Sequence, residues 1–468
     1  MGYKPTIGLE IHAELKTSSK MFCSCKNDPF NSEPNANICP ICTGHPGTLP
    51  VANMEAIRSV LKVGVAIDGK LADFSEFDRK NYFYPDIPKG YQISQYKYPL
   101  VSGGSINGIQ ITRIHIEEDT GTSLHEEGDY SLVDFNRAGV PLMELVTEPV
   151  IHSAEDASSF AKELQLILRY LGVSDANMEK GEMRVEANIS ISDTDKFGTK
   201  VEVKNLNSFK AVEKAIQYEL KRQEEVLEAG EKVVQETRGW DENKQRTFSQ
   251  RKKEESHDYR YFPEPDLPKL KLSELEWASP ENLKKELPEL PKEKRDRYTK
   301  NFGIKIEDVD FYINDSSLSK VFEEGVNNLK TKEEFSLLSN YIISDLAGLL
   351  KNGASLDKIS GKKMSEIVRM IGEGKLSSRG AKDVLSKMVL DGKEPEEIAK
   401  DLGVIQVSDE GAIKAIVAKV LDANKKVVED YKSGKGPALQ YLIGQVMKES
   451  KGSAKPDLVK NIITSLLS

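Results

Sequence analysis

The chain has 468 residues, with 66 Lys or Arg against 75 Asp or Glu and a formal charge of −9. An acidic balance argues against bulk, sequence-blind binding to nucleic acid, though not against a localised basic surface. No apolar run approaches the roughly 20 residues of a membrane helix. Met1 to Pro5 has neither the apolar core of a signal peptide nor the Arg/Ser-rich character of a transit peptide, so a cytoplasmic protein is expected.

The first element lies in Thr6 to Leu15. Ile7, Leu9, Ile11, Ala13 and Leu15 alternate with Gly8, Glu10, His12 and Glu14, which predicts a half-buried strand. Its outer face carries Glu10, His12 and Glu14, and a Glu-x-His pair offers metal-ligand chemistry as well as a solvated surface. All four cysteines follow, as Cys23, Cys25, Cys39 and Cys42. The Cys-x-Cys and Cys-Pro-Ile-Cys pairs flank a loop with little to bury, which predicts a structural zinc site of four thiolates. The metal would supply the folding energy that such a loop lacks. A reduced remnant of a site, or a pair of redox dithiols, is the alternative.

Helices are expected over 53–66, 153–171 and 208–229. Arg79 to Gln95 is too rich in Pro and Gly for a helix or central strand. It mixes cations, amides and rings, as a nucleotide-binding loop or an aromatic structural loop would. His115 to Gly121 ends a strand with Glu117, Glu118 and Asp119 in a row. Glu144 sits in the apolar strand Pro141 to Val146 and shares its face with Leu142 and Val146, so it is partly buried. If Glu10, Glu118 and Glu144 converge at about 4 Å, each pair repels by roughly 4 kcal/mol at an effective dielectric of about 20. Mg²⁺ or Mn²⁺ would reverse that sign, and pairing with Arg113, Arg137 and Arg184 would also relieve it.

Residues 184–191 and 200–204 alternate again. Lys204-Asn205-Leu206-Asn207-Ser208 leaves a strand and opens a helix, as an anion site or simply as caps. Lys244 to Lys253, with Arg246, Arg251 and Lys252, is either a phosphate-facing segment or a solvated loop. Six prolines from Pro263 to Pro291 mark a boundary. Beyond it the pattern is helical, with short periods broken by Gly353, Gly361, Gly372 and Gly374. Residues 409–468 carry ten lysines against seven acidic residues. The chain has no Walker-A motif, and Ser102-Gly103-Gly104-Ser105 reads as a hairpin turn. No residue stands out as a nucleophile for glutamine hydrolysis.

The expected fold class is α+β: a largely antiparallel-sheet domain with a zinc loop, an all-α helical domain, then a small all-α tail. The motifs together resemble the B subunits of the tRNA-dependent aspartyl/glutamyl amidotransferases. They are Gly8 to His12, the cysteine loop, Arg79 to Gln95, His115 to Gly121, Asp134 to Glu144, Val201 to Phe209, Asp258 to Pro268 and Gly444 to Lys448. They run in the family's order along the whole chain. An archaeal relative shares the first motifs but carries an insertion domain, which the short spacing after Pro268 argues against.

The resemblance implies a catalytic cradle at 1–290, a helical domain at 291–405 and a tRNA-contacting tail at 406–468. It implies ATP-dependent phosphorylation of the side-chain carboxylate of Glu-tRNA(Gln) or Asp-tRNA(Asn). Amidation would follow, by ammonia from an amidase-type glutaminase partner, the family's A subunit. The family's small C subunit completes the heterotrimer. Mg²⁺ would sit on His12, Glu118 and Glu144, with Glu10 nearby and Lys80 or Lys204 on phosphate oxygens. Arg79, Asn81, Tyr82, Tyr84, Lys89, Gln92, Ser94, Asn205, Asn207 and Ser208 would meet ATP or the acyl-tRNA end. Val185 and Glu186 replace the family's usual Cys and Asp, which makes Glu186 doubtful as a ligand. Thr120 and Thr122 replace its Ala and Lys. A non-catalytic tRNA-binding scaffold of the same complex is the rival reading.

Overall fold

The computed structural model describes residues 2–124, 128–252, 259–406, 410–450 and 454–467. The described residues fall into two compact units, Met1–Pro291 and Lys292–Ser468.

The first unit begins with β1 (Lys4–Glu14), the cysteine loop and α1 (Met54–Ala66). Short strands follow: β2 (Lys70–Leu71), β3 (Phe74–Ser75), β4 (Asp78–Asn81), β5 (Tyr91–Ser94), β6 (Val101–Ser102) and β7 (Ser105–Ile106). Then come β8 (Ile109–Glu118), β9 (Thr122–Leu124), β10 (Leu132–Asp134), β11 (Pro141–Thr147), α2 (Ala154–Tyr170), β12 (Met183–Ser192) and β13 (Val201–Leu206). The unit continues with α3 (Phe209–Glu228), β14 (Glu236–Asp241), β15 (Arg246–Lys252), β16 (Phe262–Pro263) and β17 (Leu270–Lys271).

The main sheet runs β15-β14-β13-β12-β1-β11-β8-β6-β2. Its pairings are antiparallel except β13 with β14. Alternation along β1 sends Ile7, Leu9, Ile11 and Ala13 into a dry core, each at most 1 % exposed. Helices cover that face: α1 packs on β8, and α3 packs on β12 and α2. Side-chain caps fix their starts. Asn53 accepts from the N–H groups of Glu55 and Ala56, Ser153 from Asp156 and Ser208 from Ala211. Because the helices occupy one face, the opposite face of the central strands is left for polar side chains. A separate small sheet, β16-β4-β5, holds the Arg79 to Gln95 segment as a hairpin.

The second unit is helical. Rings of Tyr298, Tyr312 and Phe322 pack with centroids 4.8–5.6 Å apart at its start. Gly361 and Gly372 are the first and last residues of one helix, and Gly353 and Gly374 take left-handed backbone in the turns around it. Helices Glu410–Ala423, Pro437–Glu449 and Pro456–Leu467 share a core of their own, including Ile413, Val417, Leu442, Val446, Ile462 and Ile463. Among the described residues no helix is long and apolar enough to cross a membrane.

The helix layer makes a test possible. Leu164 on α2 is fully buried whereas Leu132 is 45 % exposed. Leu164→Ala is expected to cost about 2–5 kcal/mol, and Leu132→Ala about 0.5 kcal/mol or less. The urea midpoint of the first unit reads both.

Candidate active site

Register places the polar side chains of five strands on one face. Across β1 and β11, His12 stands opposite Glu144, and across β11 and β8, Glu144 stands opposite His115. On the other side of β1, Glu10 stands opposite Glu186, and Asn188 stands opposite Glu202 on β13. Candidate ligand atoms of Glu10, His12 and Glu144 lie within 4.8 Å of one another; the same holds for His115, Glu117 and Glu144, and for Glu10, Glu186 and Glu202.

Glu144 is the hub. Its carboxylate lies 3.3 Å from His12 Nε2 and 3.4 Å from His115 Nε2, with Arg113 at 3.8 Å. Burial pushes its carboxyl up, but the two imidazoles and Lys80 outweigh that and hold it well below the usual carboxylate range. Burial pulls the other way on His12, and Glu144, Glu186 and Glu10 still raise its imidazole to about 9. Glu10 rises to about 7, from burial first and then from Glu144 and Glu186. Buried atoms His115 Nδ1, Glu14 Oε1 and Asn188 Oδ1 find no hydrogen-bond partner on this face. Such groups are expensive to leave unmet, and their concentration here marks a surface shaped for a ligand.

Two lysines border the row. Lys80 Nζ lies 5.2 Å from the Tyr259 ring and 5.9 Å from the Tyr82 ring. Burial lowers its tendency to hold a proton, yet Glu117, helped by Glu144, keeps it charged, well above the ordinary lysine range. Lys204 Nζ lies 2.8 Å from Glu186 and is likewise held protonated despite burial, chiefly by Glu186 and Glu202.

One expected member is elsewhere. Glu118 points to the opposite side of β8, where Lys89 Nζ lies 2.5 Å from its carboxylate and the Ile93 N–H donates to it at 2.9 Å. The structure therefore does not bring Glu118 to His12 and Glu144. Glu117, two residues from His115 on the same face, stands there instead, with Oε1 4.0 Å from His12 Nε2 and Oε2 accepting from Ser94 at 2.8 Å. The period of two from His115 was the available signal. Glu186, doubted from sequence, faces the row beside Glu10. Arg184 and Arg137 pair with Asp119, at 2.8 and 3.8 Å, rather than with the row.

The hairpin residues divide by role. Arg79 is gripped by Glu264 at 2.6 and 2.8 Å and lies over the Tyr91 ring. Asn81 donates to the carbonyls of Tyr259 and Arg260. Gln92 donates to the Glu118 carbonyl and accepts from Tyr82. Tyr84 is half exposed. Asn205 and Asn207 are exposed and Ser208 caps α3, so these three are not drawn into the row. Lys253 and Asp258, and the side chains of Arg251 and Lys252, lie outside the described residues.

The four cysteines form a second centre. Their sulphurs lie within 4.8 Å of one another, with Cys39 and Cys42 at 3.9 Å. Zn–S bonds of about 2.3 Å in a tetrahedron place sulphurs about 3.8 Å apart, so the cluster fits zinc. The Cys42 thiol is drawn down to about 4 by a hydrogen bond from Cys23, helped by the Cys39 N–H and by Lys20. Lys20 is fully buried, with Nζ 3.8 Å from Cys42 Sγ.

The fold thus carries two kinds of centre: a carboxylate–imidazole row suited to a hard divalent cation, and a separate thiolate cluster. Residues 5–278 match the family model of the GatB/GatE catalytic domain, and residues 320–467 match the model of the GatB domain. The relatives include the aspartyl/glutamyl-tRNA(Asn/Gln) amidotransferase B subunit of Thermodesulfovibrio yellowstonii, 45 % identical, with 100 % of both chains covered. The B subunit of Crocosphaera subtropica is 44 % identical over 99 % of this chain and 98 % of its own. That of Thermotoga maritima is 45 % identical over 100 % of this chain and 99 % of its own. The chain belongs to the family of aspartyl/glutamyl-tRNA(Asn/Gln) amidotransferase B subunits.

The raised His12 value gives a prediction for metal-free protein. A folded pKa above the unfolded one contributes stability that is full below about 6.5 and is lost as pH rises through about 9. NMR of the ring should show imidazolium at pH 7.5, and adding Mn²⁺ or Mg²⁺ should release its proton. A neutral ring before metal addition would contradict this.

Proposed function

We propose that the first unit activates the side-chain carboxylate of a misacylated tRNA for amidation. A carboxylate oxygen of Glu-tRNA(Gln) or Asp-tRNA(Asn) attacks the γ-phosphorus of ATP, and the bond to the leaving oxygen of ADP breaks. Ammonia then attacks the acyl carbon, phosphate departs and the nitrogen loses a proton, leaving Gln-tRNA(Gln) or Asn-tRNA(Asn). The reading is that of a glutamine-dependent carbon–nitrogen ligase acting in the cytoplasm. Ammonia would come from an amidase-type glutaminase partner, with a second, small partner completing a heterotrimer.

The observation that carries this reading is the row of Glu10, His12, Glu144, Glu117 and Glu186 on one sheet face. Phosphoryl transfer depends mainly on positioning and charge neutralisation. Mg²⁺ or Mn²⁺ held by His12, Glu144 and Glu10 would offset the crowded carboxylates and draw phosphate oxygens to them. Lys80 and Lys204, both held protonated beside the row, supply fixed positive charge for the same oxygens. The β4–β5 hairpin supplies Tyr82 and Tyr84 for the nucleotide or acyl-tRNA end. Glu118 and Lys89 neutralise each other on the far side of β8 and stay out of this role. Zinc in the cysteine cluster is structural, and the basic tail from residue 406 contacts tRNA.

Glu144→Gln and His12→Ala should each lower ATP-dependent amide formation by about 100-fold or more and leave tRNA binding nearly unchanged. A filter-binding titration run beside the amidation assay checks both. Full activity in both variants would reject the metal row and favour the scaffold reading.

A further inference from the structure

Phosphate neutralisation accounts for Lys80 but leaves unexplained the rings around it. Tyr84 and Tyr82 have centroids 6.0 Å apart, Tyr82 and Tyr259 5.9 Å, and Tyr259 and Tyr261 6.1 Å. Tyr261 and Tyr96 stack at 4.5 Å with planes 15° apart. Five tyrosines thus form one continuous chain of ring contacts, drawn from the β4–β5 hairpin, its flanks and the segment before β16. Its middle is partly buried against Lys80, which faces Glu117 and Glu144. Both ends open to solvent: Tyr84 is 50 % exposed and Tyr96 53 %. Phe83, next to Tyr84, is 76 % exposed. Its ring is seated on Gly90, where φ is +72° and an added Cβ would stand 3.2 Å from the ring. A glycine in the left-handed region therefore supports an aromatic side chain displayed outward.

We propose that this tyrosine chain, with Phe83, is a stacking track for the unpaired 3′ end of the aminoacyl-tRNA. The inference rests on the function proposed above and assigns the residues that hold its RNA substrate. Single-stranded bases stack on aromatic rings without needing a particular sequence. A mononucleotide has one base and would occupy one ring. This track offers exposed rings at Phe83 and Tyr84 on one end and at Tyr96 on the other, and Lys80, beside the carboxylate row, lies against its middle. A strand end laid along it would bring the side-chain carboxylate of its esterified amino acid to the row. Burial holds the hydroxyls of Tyr82 and Tyr261 above the ordinary tyrosine range, so both rings stay neutral beside phosphates.

The test uses the assembled complex carrying Phe83→Ala, Tyr84→Ala or Tyr96→Ala, with Tyr84→Phe and Tyr96→Phe as controls that keep the ring. Loss of one stacked base is expected to raise KM for misacylated tRNA about tenfold, with KM for ATP unchanged and the Phe controls near wild type. A tRNA with 2-aminopurine at its 3′-terminal position is titrated in parallel. Its fluorescence should be quenched on binding wild type and less quenched in the Ala variants. Unchanged tRNA KM and unchanged quenching would overturn the inference, as would a rise confined to the KM for ATP, which would assign the rings to the mononucleotide. The fluorescence arm needs no turnover. If wild type forms no amide, the proposed function fails, and the quenching still decides the track.

Discussion

Carboxylate crowding on one face of a twisted sheet is the constraint from which the rest of the first unit follows. Glu10, Glu117, Glu144, Glu186 and Glu202 share that face. At about 4 Å, each unrelieved pair costs roughly 4 kcal/mol at an effective dielectric of about 20. The chain relieves part of this with its own groups. His12 and His115 flank Glu144, Lys204 meets Glu186, and Glu10 rises to about 7, through burial first and then through its carboxylate neighbours. The remainder is left for a ligand, and the orphaned atoms of His115, Glu14 and Asn188 lie on the same unsatisfied face.

The surrounding architecture keeps that strain from dispersing. Helices seal the apolar face of the sheet, so β1, β11 and β12 cannot slip register without exposing Ile7, Leu9 and Ile11. Arg184 and Arg137 are fixed on Asp119, so two cations offered by the sequence for the row are engaged elsewhere. Their placement leaves the row acidic. The long loop between β1 and α1 gathers its four cysteine sulphurs into a separate cluster, with the buried Lys20 amine 3.8 Å from Cys42 Sγ.

Much of this was legible in the sequence. The alternation of Ile7 to Leu15 gave β1 and its outward Glu10 and His12, and a lone Glu144 among apolar residues announced its burial. Cys-x-Cys with Cys-Pro-Ile-Cys gave the thiolate cluster. What sequence could not decide was which of three consecutive acids at the end of β8 faces inward. That depends on the register of β8 against β11, a long-range property, and Glu117 rather than Glu118 meets His12. The tyrosine chain was hidden for the same reason. Tyr259 and Tyr261 lie far in sequence from Tyr82 and Tyr96, which they meet only because β16 pairs with β4. Arg184 and Arg137 had an equally plausible destination in the row, and only the fold sends them to Asp119.

The claim that this face exists to hold a divalent cation is open to one direct measurement. Electron spin-echo modulation of the Mn²⁺-loaded protein detects nitrogen bound to the metal. The expected result is a ¹⁴N coupling in the wild type that is lost in His12→Ala. Saturable Mn²⁺ binding without any nitrogen coupling, or no saturable binding at all, would contradict the claim.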